Sequence, residues 1–466
     1  MSRTATAYVC QSCGGVSRQF FGRCPACGSW NTLIEQTAGP APDGRRRRAL
    51  PEAEAVSAPR RSQAITAEGD APLPRLATGF AELDRVLGGG LVPGSLVLVG
   101  GDPGIGKSTL LLQTAAALAR QVCVLYVSAE ESAQQVRLRW RRLLPEASAE
   151  PQLLAETDLE EVLRELEALR PAVAIIDSIQ ALHDADLASA PGSVAQVREG
   201  AAALQRLAKR LDIALLLVGH VTKEGMLAGP KVLEHLVDAV LTFEGDRFAS
   251  HRLLRAAKNR FGATHELGVF EMRDRGLVEV SNPSELFLGG SEASPGSAVI
   301  VACEGTRPLL VELQALVSTT SYASPRRTAT GIGTNRLHQI LAVLEKHLSL
   351  PLSRFDCYLA VAGGLEVEEP AADLGVAAAV VASYRDLVLA PGTVLVGELG
   401  LGGQLRPVGQ LELRLQEAAR LGFRRAVVPK GSGLGPAAAG LGLQILEAGG
   451  VTEALVAALG VDPTAD

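Results

Sequence analysis

Aromatic side chains make up only 4% of this 466-residue chain, and it holds just seven cysteines. Seven cysteines in so long a chain cannot form the dense disulfide framework that staples small secreted domains. The chain also lacks a surplus of positive charge, with a formal net charge of −6. A protein that coats itself in nucleic acid is usually basic overall. Any phosphate-binding charge must therefore be local, as in an interior channel or a ring pore. No run of 18 uncharged apolar residues reads as a membrane span. The opening MSRTATAYVC lacks the apolar core of a signal peptide. These absences predict a soluble, cytoplasmic chain with no membrane partner.

What is present is apolar residues, 47% of the total, in a length that suits two or three domains. Residues 36–72 are rich in Pro, Ala, Arg and Glu and carry the run Arg45 to Arg48. No periodicity survives there, so the segment reads as a flexible linker. From about residue 73 short apolar runs alternate with helical stretches. SLVLVG (95–100), VCVLYVS (122–128), AVAIID (172–177) and IALLLVG (213–219) read as strands, with helices over 108–120, 159–169 and 196–211. Near-continuous apolar strands mean burial on both faces, hence a mainly parallel sheet. Beyond about residue 284 a second α/β block follows, with strands at 297–303, 355–361, 424–430 and 443–448. The expected domains are 1–35, the linker 36–72, 73–283 and 284–466.

Four cysteines sit at the start as Cys10-x2-Cys13 and, ten residues later, Cys24-x2-Cys27. Each pair presents two thiolates from one tight turn, and two such turns complete a closed tetrahedral sulfur shell. The spacing predicts a structural Zn²⁺ ribbon over 1–35, with redox dithiols as the other reading. So few residues cannot build an apolar core, so the metal would hold them together. Cys123, Cys303 and Cys357 lie in apolar runs and read as core.

LVLVGGDPGIGKSTLLLQ contains Gly101-x4-Gly106-Lys107-Ser108 between a strand and a helix. That context identifies a phosphate loop. The loop Gly101, Asp102, Pro103, Gly104, Ile105, Gly106, with Lys107, Ser108 and Thr109, would wrap its amides around the phosphates of ATP. Lys107 would reach the β- and γ-phosphates, and Ser108 would hold Mg²⁺. Asp177 ends a buried strand and is either a second Mg²⁺ partner or a turn cap. Glu130 and Glu131 follow the neighbouring strand. Glu130 is the candidate base for water attack, and a helix N-terminal acid pair is the alternative. His220 follows another strand and could sense the γ-phosphate, relaying it to a Gly-rich loop with Lys223 and Lys231. The same loop also reads as plain surface. The pentapeptide Lys258-Asn259-Arg260-Phe261-Gly262 suits either a solvated hairpin tip or phosphate-directed cations.

The CxxC pairs, the segment ATGFAELDRVLGGGLVPGSLVLVGGDPGIGKST, the KNRFG pentapeptide and the second α/β block together resemble the bacterial RadA (Sms) family over nearly the whole chain. The resemblance implies a RecA-type ATPase core close to hexameric DnaB-type helicases. It also implies a last domain like that of Lon proteases. It implies action with RecA recombinase on single-stranded and branched DNA in homologous recombination and repair. It further implies that Lys258 and Arg260 reach a neighbouring subunit's nucleotide in a ring, where a guanidinium in trans stabilises transition-state charge. The last block departs from the Lon pattern of a Ser–Lys dyad. No Ser or Thr lies between Arg354 and Ala382, and no Lys between His347 and Pro429. Ala372 and Asp373 stand where the serine would be, and Glu412 or its neighbours where the lysine would be. Arg326, Arg327 and Arg336 lie beside Gly, Ser and Thr and suit a phosphate backbone or a solvated loop. The expected function is a DNA-dependent ATPase and hexameric ring helicase or translocase on single-stranded DNA that promotes branch migration in homologous recombination and repair. An ATP-dependent protease and a RecA-fold regulator without motor activity are the alternatives.

Overall fold

The computed structural model describes residues 6–10, 16–17, 19–25, 28, 30, 32–37, 74–220, 230–245, 250–264, 266–288, 294–322, 324–434 and 440–461. Most of the expected linker, from residue 38, lies outside them, as do Cys13, Cys27 and Lys223. The chain forms two compact units. The first holds Met1–Glu244, Leu253–Thr264 and Met272–Leu277, and the second holds Gly245–Arg252, His265–Glu271 and Val278–Asp466. Among the described residues no helix is long and apolar enough to cross a membrane.

At the N-terminus β1 (Thr6–Cys10) pairs antiparallel with both β2 (Val16–Ser17) and β3 (Leu33–Thr37). β3 thus runs two residues into the expected linker. The nucleotide-type core follows, as α1 (Ala81–Leu87), β4 (Leu96–Gly101), α2 (Lys107–Leu118), β5 (Val124–Ser128), α3 (Ala133–Leu143), β6 (Gln152–Ala155), α4 (Leu159–Leu169), β7 (Val173–Asp177), α5 (Val194–Leu211), β8 (Ala214–His220), α6 (Pro230–Leu233) and β9 (Ala239–Glu244). β10 (His251–Asn259), β11 (Leu267–Arg273) and β12 (Gly276–Glu279) complete a sheet of order β12-β11-β10-β9-β4-β8-β7-β5-β6. The strands from β9 to β6 run parallel, and β10 turns antiparallel to β9.

The expected apolar runs are these strands, shifted by a residue or two at their ends. β4, β5 and β7 are buried at every position, as continuous apolar strands covered on both faces must be. Helix α5 presents Val197, Ala201, Leu204 and Ala208, all buried, at the spacing of one helical face. Ser132 and Gln135 form a reciprocal capping box that starts α3. Cys123 corrects a sequence expectation. It precedes β5 and is exposed, whereas Cys357 is buried and Cys303 is partly so.

The second unit contains α7 (Ser284–Phe287), β13 (Ser297–Glu304), β14 (Arg307–Thr319), β15 (Arg327–Thr330), α8 (Thr334–Leu348), β16 (Phe355–Val361), α9 (Asp373–Arg385), β17 (Thr393–Leu395), β18 (Glu398–Leu399), β19 (Leu405–Arg406), α10 (Leu411–Arg420), β20 (Arg425–Pro429), β21 (Gln444–Ala448) and α11 (Val451–Leu459). Its sheet is mixed, in the order β15-β16-β14-β13-β17-β20-β21, and β18 and β19 form a separate hairpin. Helix α9 is buried from Asp373 through Ala382. That explains its Ala- and Val-rich sequence: small side chains let a helix sit against neighbours on every side.

Candidate nucleotide site and the cationic turn

Parallel pairing sets the strand ends in one row. Gly101 stands opposite His220, and Ser128 opposite Asp177. The phosphate loop after β4, the acid pair after β5, the β7 carboxylate and the β8 histidine thus gather at the carboxyl edge of the sheet, where ligands of open α/β sheets bind. They line a cavity of about 430 Å³ with Pro103, Gly104, Gly106, Lys107, Ser108, Thr109, Ser128, Glu131, Arg139, Arg142 and Met272.

Gly101 and Gly106 of the loop adopt backbone conformations that favour glycine. Gly101 has φ 152° and Gly106 φ 119°. A Cβ at Gly101 would lie 2.5 Å from the carbonyl oxygen of Phe243, and one at Gly106 would lie 2.8 Å from Met272 Cε. Lys107 folds back onto the loop, with Nζ donating to the carbonyls of Gly101 at 2.8 Å and Asp102 at 2.9 Å. Burial lowers its pKa, against the opposing pull of Asp177, Glu130 and Asp102. An ammonium already bound by carbonyls and ringed by carboxylates is poised to exchange those acceptors for phosphate oxygens.

Glu130 and Glu131 part company. Glu130 Oε1 meets His220 Nε2 at 3.0 Å and also accepts from the Ser178 hydroxyl. The hydrogen bond from His220 is the main reason its carboxyl sits below the usual range, with Ser178 adding to it against partial burial. Nδ1 of His220 has no partner among the described residues. Glu131 instead pairs with Arg139 at 2.5 Å, and its backbone carbonyl accepts from Ser128 Oγ at 2.7 Å. Asp177 Oδ2 accepts from the Tyr126 hydroxyl at 2.6 Å. Burial and that carboxylate raise the Tyr126 pKa well above its ordinary value. Tyr126, Ser178, Arg139 and Arg142 were not picked out from the sequence. The one available signal was Tyr126, a phenol inside an apolar strand, which must find a partner when buried.

The KNRFG stretch lies at the other end of the same strands. Asn259 faces Ala239, Ala239 faces Val97, and Phe243 faces Gly101. Four extended residues, about 13 Å, separate the level of Asn259 from the start of the chain's own phosphate loop. The cations turn further away. Lys258 Nζ donates to the carbonyl of Val237 at 2.9 Å and to that of Glu234 at 2.5 Å. Arg260 Nη1 pairs with Asp238 at 2.9 Å and is half exposed. Asn259 builds the turn, donating to the Val86 carbonyl at 3.1 Å and accepting from the Phe261 amide at 2.9 Å. Arg75 Nη2 donates to the Phe261 carbonyl at 2.7 Å. Gly262 packs on Gly88, where a Cβ would come within 2.8 Å.

In the ribbon, Cys24 is buried against Leu33 and Tyr8, and the Gly28 amide donates to its carbonyl at 2.9 Å. Gly28 has φ 76°, the left-handed turn that a glycine after the last cysteine provides. Cys10 ends β1 directly across from Leu33. The strand pairing thus brings Cys10 and Cys24 to one end of the ribbon, which fits a thiolate-bound metal.

The candidate contacts to DNA separate. The side chain of Lys231, on α6, lies outside the described residues along with Lys223. Arg326 stacks on Tyr322, 3.8 Å from the ring centroid, and Tyr322 is 52% exposed. Arg327 opens β15. Arg336 is already paired within the chain. Its guanidinium pairs in bidentate fashion with Asp373, which is 2% exposed and also accepts from the Leu399 amide at 2.9 Å. That pair ties α8, the helix after β15, to α9. Arg414, on α10, is buried and bonded to both oxygens of Glu369.

Comparison with known proteins agrees with both ends of the site. Residues 8–35 match the rubredoxin metal binding domain, and residues 58–226 match the AAA domain. The ribbon is thus of a metal-binding type, and the core is an AAA-type domain that carries the phosphate loop. The chain is 55% identical to DNA repair protein RadA of Synechocystis sp. over 98% of its own length and 95% of the relative's. It is 47% identical to that of Bacillus subtilis over 99% of this chain and all of that one. It is 49% identical to that of Pseudomonas aeruginosa over 98% of this chain and 99% of that one. Such identity over nearly the whole length of each chain means that the chain belongs to the family of the DNA repair protein RadA.

Proposed function

We propose that the protein is a DNA-dependent ATPase that works as a hexameric ring and translocates on single-stranded DNA in homologous recombination and repair. The observation that carries the reading is the position of KNRFG. Its two cations stand at the end of the sheet away from the chain's own phosphate loop, so any nucleotide they address belongs to another subunit. An arginine supplied in trans couples hydrolysis to subunit contact.

In this reading Lys107 and the loop amides from Gly101 to Thr109 hold the ATP phosphates. Glu130 orients the attacking water, and His220, bonded to Glu130, senses the γ-phosphate. Ser108 and Asp177 hold Mg²⁺, which neutralises charge on the phosphates. The fit rests on the Ser108 hydroxyl and the Asp177 carboxylate lining one cavity beside Lys107 and Glu130. Cys10, Cys13, Cys24 and Cys27 close a structural Zn²⁺ shell. The domains are taken as 1–35, 73–283 and 284–466, with 36–72 as a linker. The last is a DNA- and assembly-directed domain without proteolytic function, in which Arg326 and Arg327 contact phosphate. Branched DNA and a RecA recombinase are the partners that the family implies, and branch migration is the activity.

A subunit-mixing experiment tests this. Lys107→Ala and Arg260→Ala should each lose DNA-stimulated ATP turnover. Mixed together they should recover part of it, because some interfaces then join an intact loop to an intact arginine. No recovery in assembled mixtures would remove the trans assignment. Turnover indifferent to single-stranded DNA would favour a regulator over a motor.

A further inference from the structure

We propose that Tyr126 is the positioning residue for the Asp177 carboxylate, fixing one oxygen so that the other faces the divalent cation of the nucleotide. The inference rests on the reading of Asp177 as a Mg²⁺ partner and goes one layer behind it. Asp177 sits opposite Ser128 in the β5–β7 pairing. Tyr126, two residues before Ser128, is on the same face of the sheet and leans diagonally toward it. The phenol is 1% exposed and Asp177 is 7% exposed. The hydroxyl donates to Oδ2 at 2.6 Å, and Oδ1 makes no hydrogen bond among the described residues. Lys107, the obvious alternative anchor, spends its ammonium on two loop carbonyls. Tyr126 is therefore what orients this carboxylate. Its ring borders the space between α2, α3 and β6 beside Leu112, Val136 and Trp140. Groups that hydrogen-bond a metal's ligands set ligand orientation, and losing one typically costs about tenfold or more in metal affinity.

The test uses Tyr126→Phe, which keeps the ring and removes only the donor. Full-length protein is loaded with a non-hydrolysable ATP analogue and titrated with Mn²⁺, free metal being read by electron paramagnetic resonance. Affinity for the analogue in EDTA is measured on the same samples. Tyr126→Phe should weaken Mn²⁺ binding about tenfold while leaving the metal-free affinity unchanged. The double variant with Asp177→Asn should bind Mn²⁺ no worse than Asp177→Asn alone, since the phenol acts only through that carboxylate. Unchanged Mn²⁺ binding in Tyr126→Phe overturns the inference. So does a further loss in the double variant, or a fall in metal-free affinity, which would mark a general packing role. If Asp177→Asn itself leaves Mn²⁺ binding unmoved, the underlying reading of Asp177 falls and takes the inference with it.

Discussion

Arg260 donates from Nη1 to Asp238 Oδ1 at 2.9 Å, while Oδ2 of the same carboxylate accepts from the Leu96 amide at 3.1 Å. One 4%-exposed carboxylate thus ties the cationic turn to the first residue of β4, the strand that ends in the phosphate loop. It holds a half-exposed arginine in one place without burying the guanidinium. That arrangement suits the proposed contact with a neighbouring subunit's nucleotide.

Replacing Asp238 by Ala should therefore do two things. The Leu96 amide loses its acceptor inside the core, which should cost about 1–3 kcal/mol of stability. Arg260 loses its tether, so DNA-stimulated turnover should fall while nucleotide binding in cis persists. Urea unfolding and nucleotide titration on the same preparation check the pair. A variant as stable and as active as the wild type would show that the carboxylate organises neither element.

Asp238 also marks the limit of what the sequence makes legible. The phosphate loop, the zinc spacing and strands such as AVAIID are local patterns, in which adjacent residues carry the physics. β5, β7 and α4 were readable to within two residues for that reason. The bond from Asp238 to Leu96 spans 142 positions, and that from Tyr126 to Asp177 spans 51. Pairings of that kind follow from sheet order, which no local period encodes. Arg336 shows the same limit. Its neighbours Gly, Thr and Asn suit a phosphate backbone or a solvated loop, and nothing in them points to its partner Asp373, 37 residues on. Cys123 reads as core because apolar residues follow it, yet the strand begins one residue later.

The acid pair gives a clean contrast. Glu130 faces His220 and Ser178, whereas Glu131 is committed to Arg139. Glu130→Gln should reduce ATP turnover by about 10²–10⁴-fold with ATP binding retained, the range expected on losing a general base. Glu131→Gln should lower turnover far less and act mainly through the loosened α3. Steady-state turnover alongside nucleotide binding distinguishes them, and equal losses in the two variants would contradict the assignment.

The His220 contact sets a pH signature. A base must be ionised, and Glu130 is held below the ordinary carboxylate range chiefly by the hydrogen bond from His220. Because the shift is downward, the active form persists as pH falls through the ordinary carboxylate value and is lost only below it. Removing the ring with His220→Ala lifts that restraint, so the acidic limb of the turnover profile should move to higher pH. The measurement is kcat against pH for both proteins. An acidic limb that stays in place would mean that His220 does not govern the ionisation of Glu130.

The second unit makes the last prediction. A Ser–Lys dyad needs a hydroxyl that a neighbouring amine can deprotonate. If the last domain has the proposed likeness to Lon proteases, Asp373, bonded to Arg336 and to the Leu399 amide, stands at the serine's place. Arg414, near the lysine's place, is buried on Glu369 and cannot give up a proton at any accessible pH. Casein should therefore survive incubation with the wild-type chain, with or without ATP. Installing a hydroxyl should not help. Asp373→Ser removes the partner of Arg336 and the acceptor for Leu399, and breaking a partly buried pair of this kind should cost about 1–3 kcal/mol. Asp373→Ser should thus unfold at lower urea and still leave casein intact. ATP-stimulated cleavage by either protein would return the protease reading to consideration, because the ion pair is the physical reason for setting it aside.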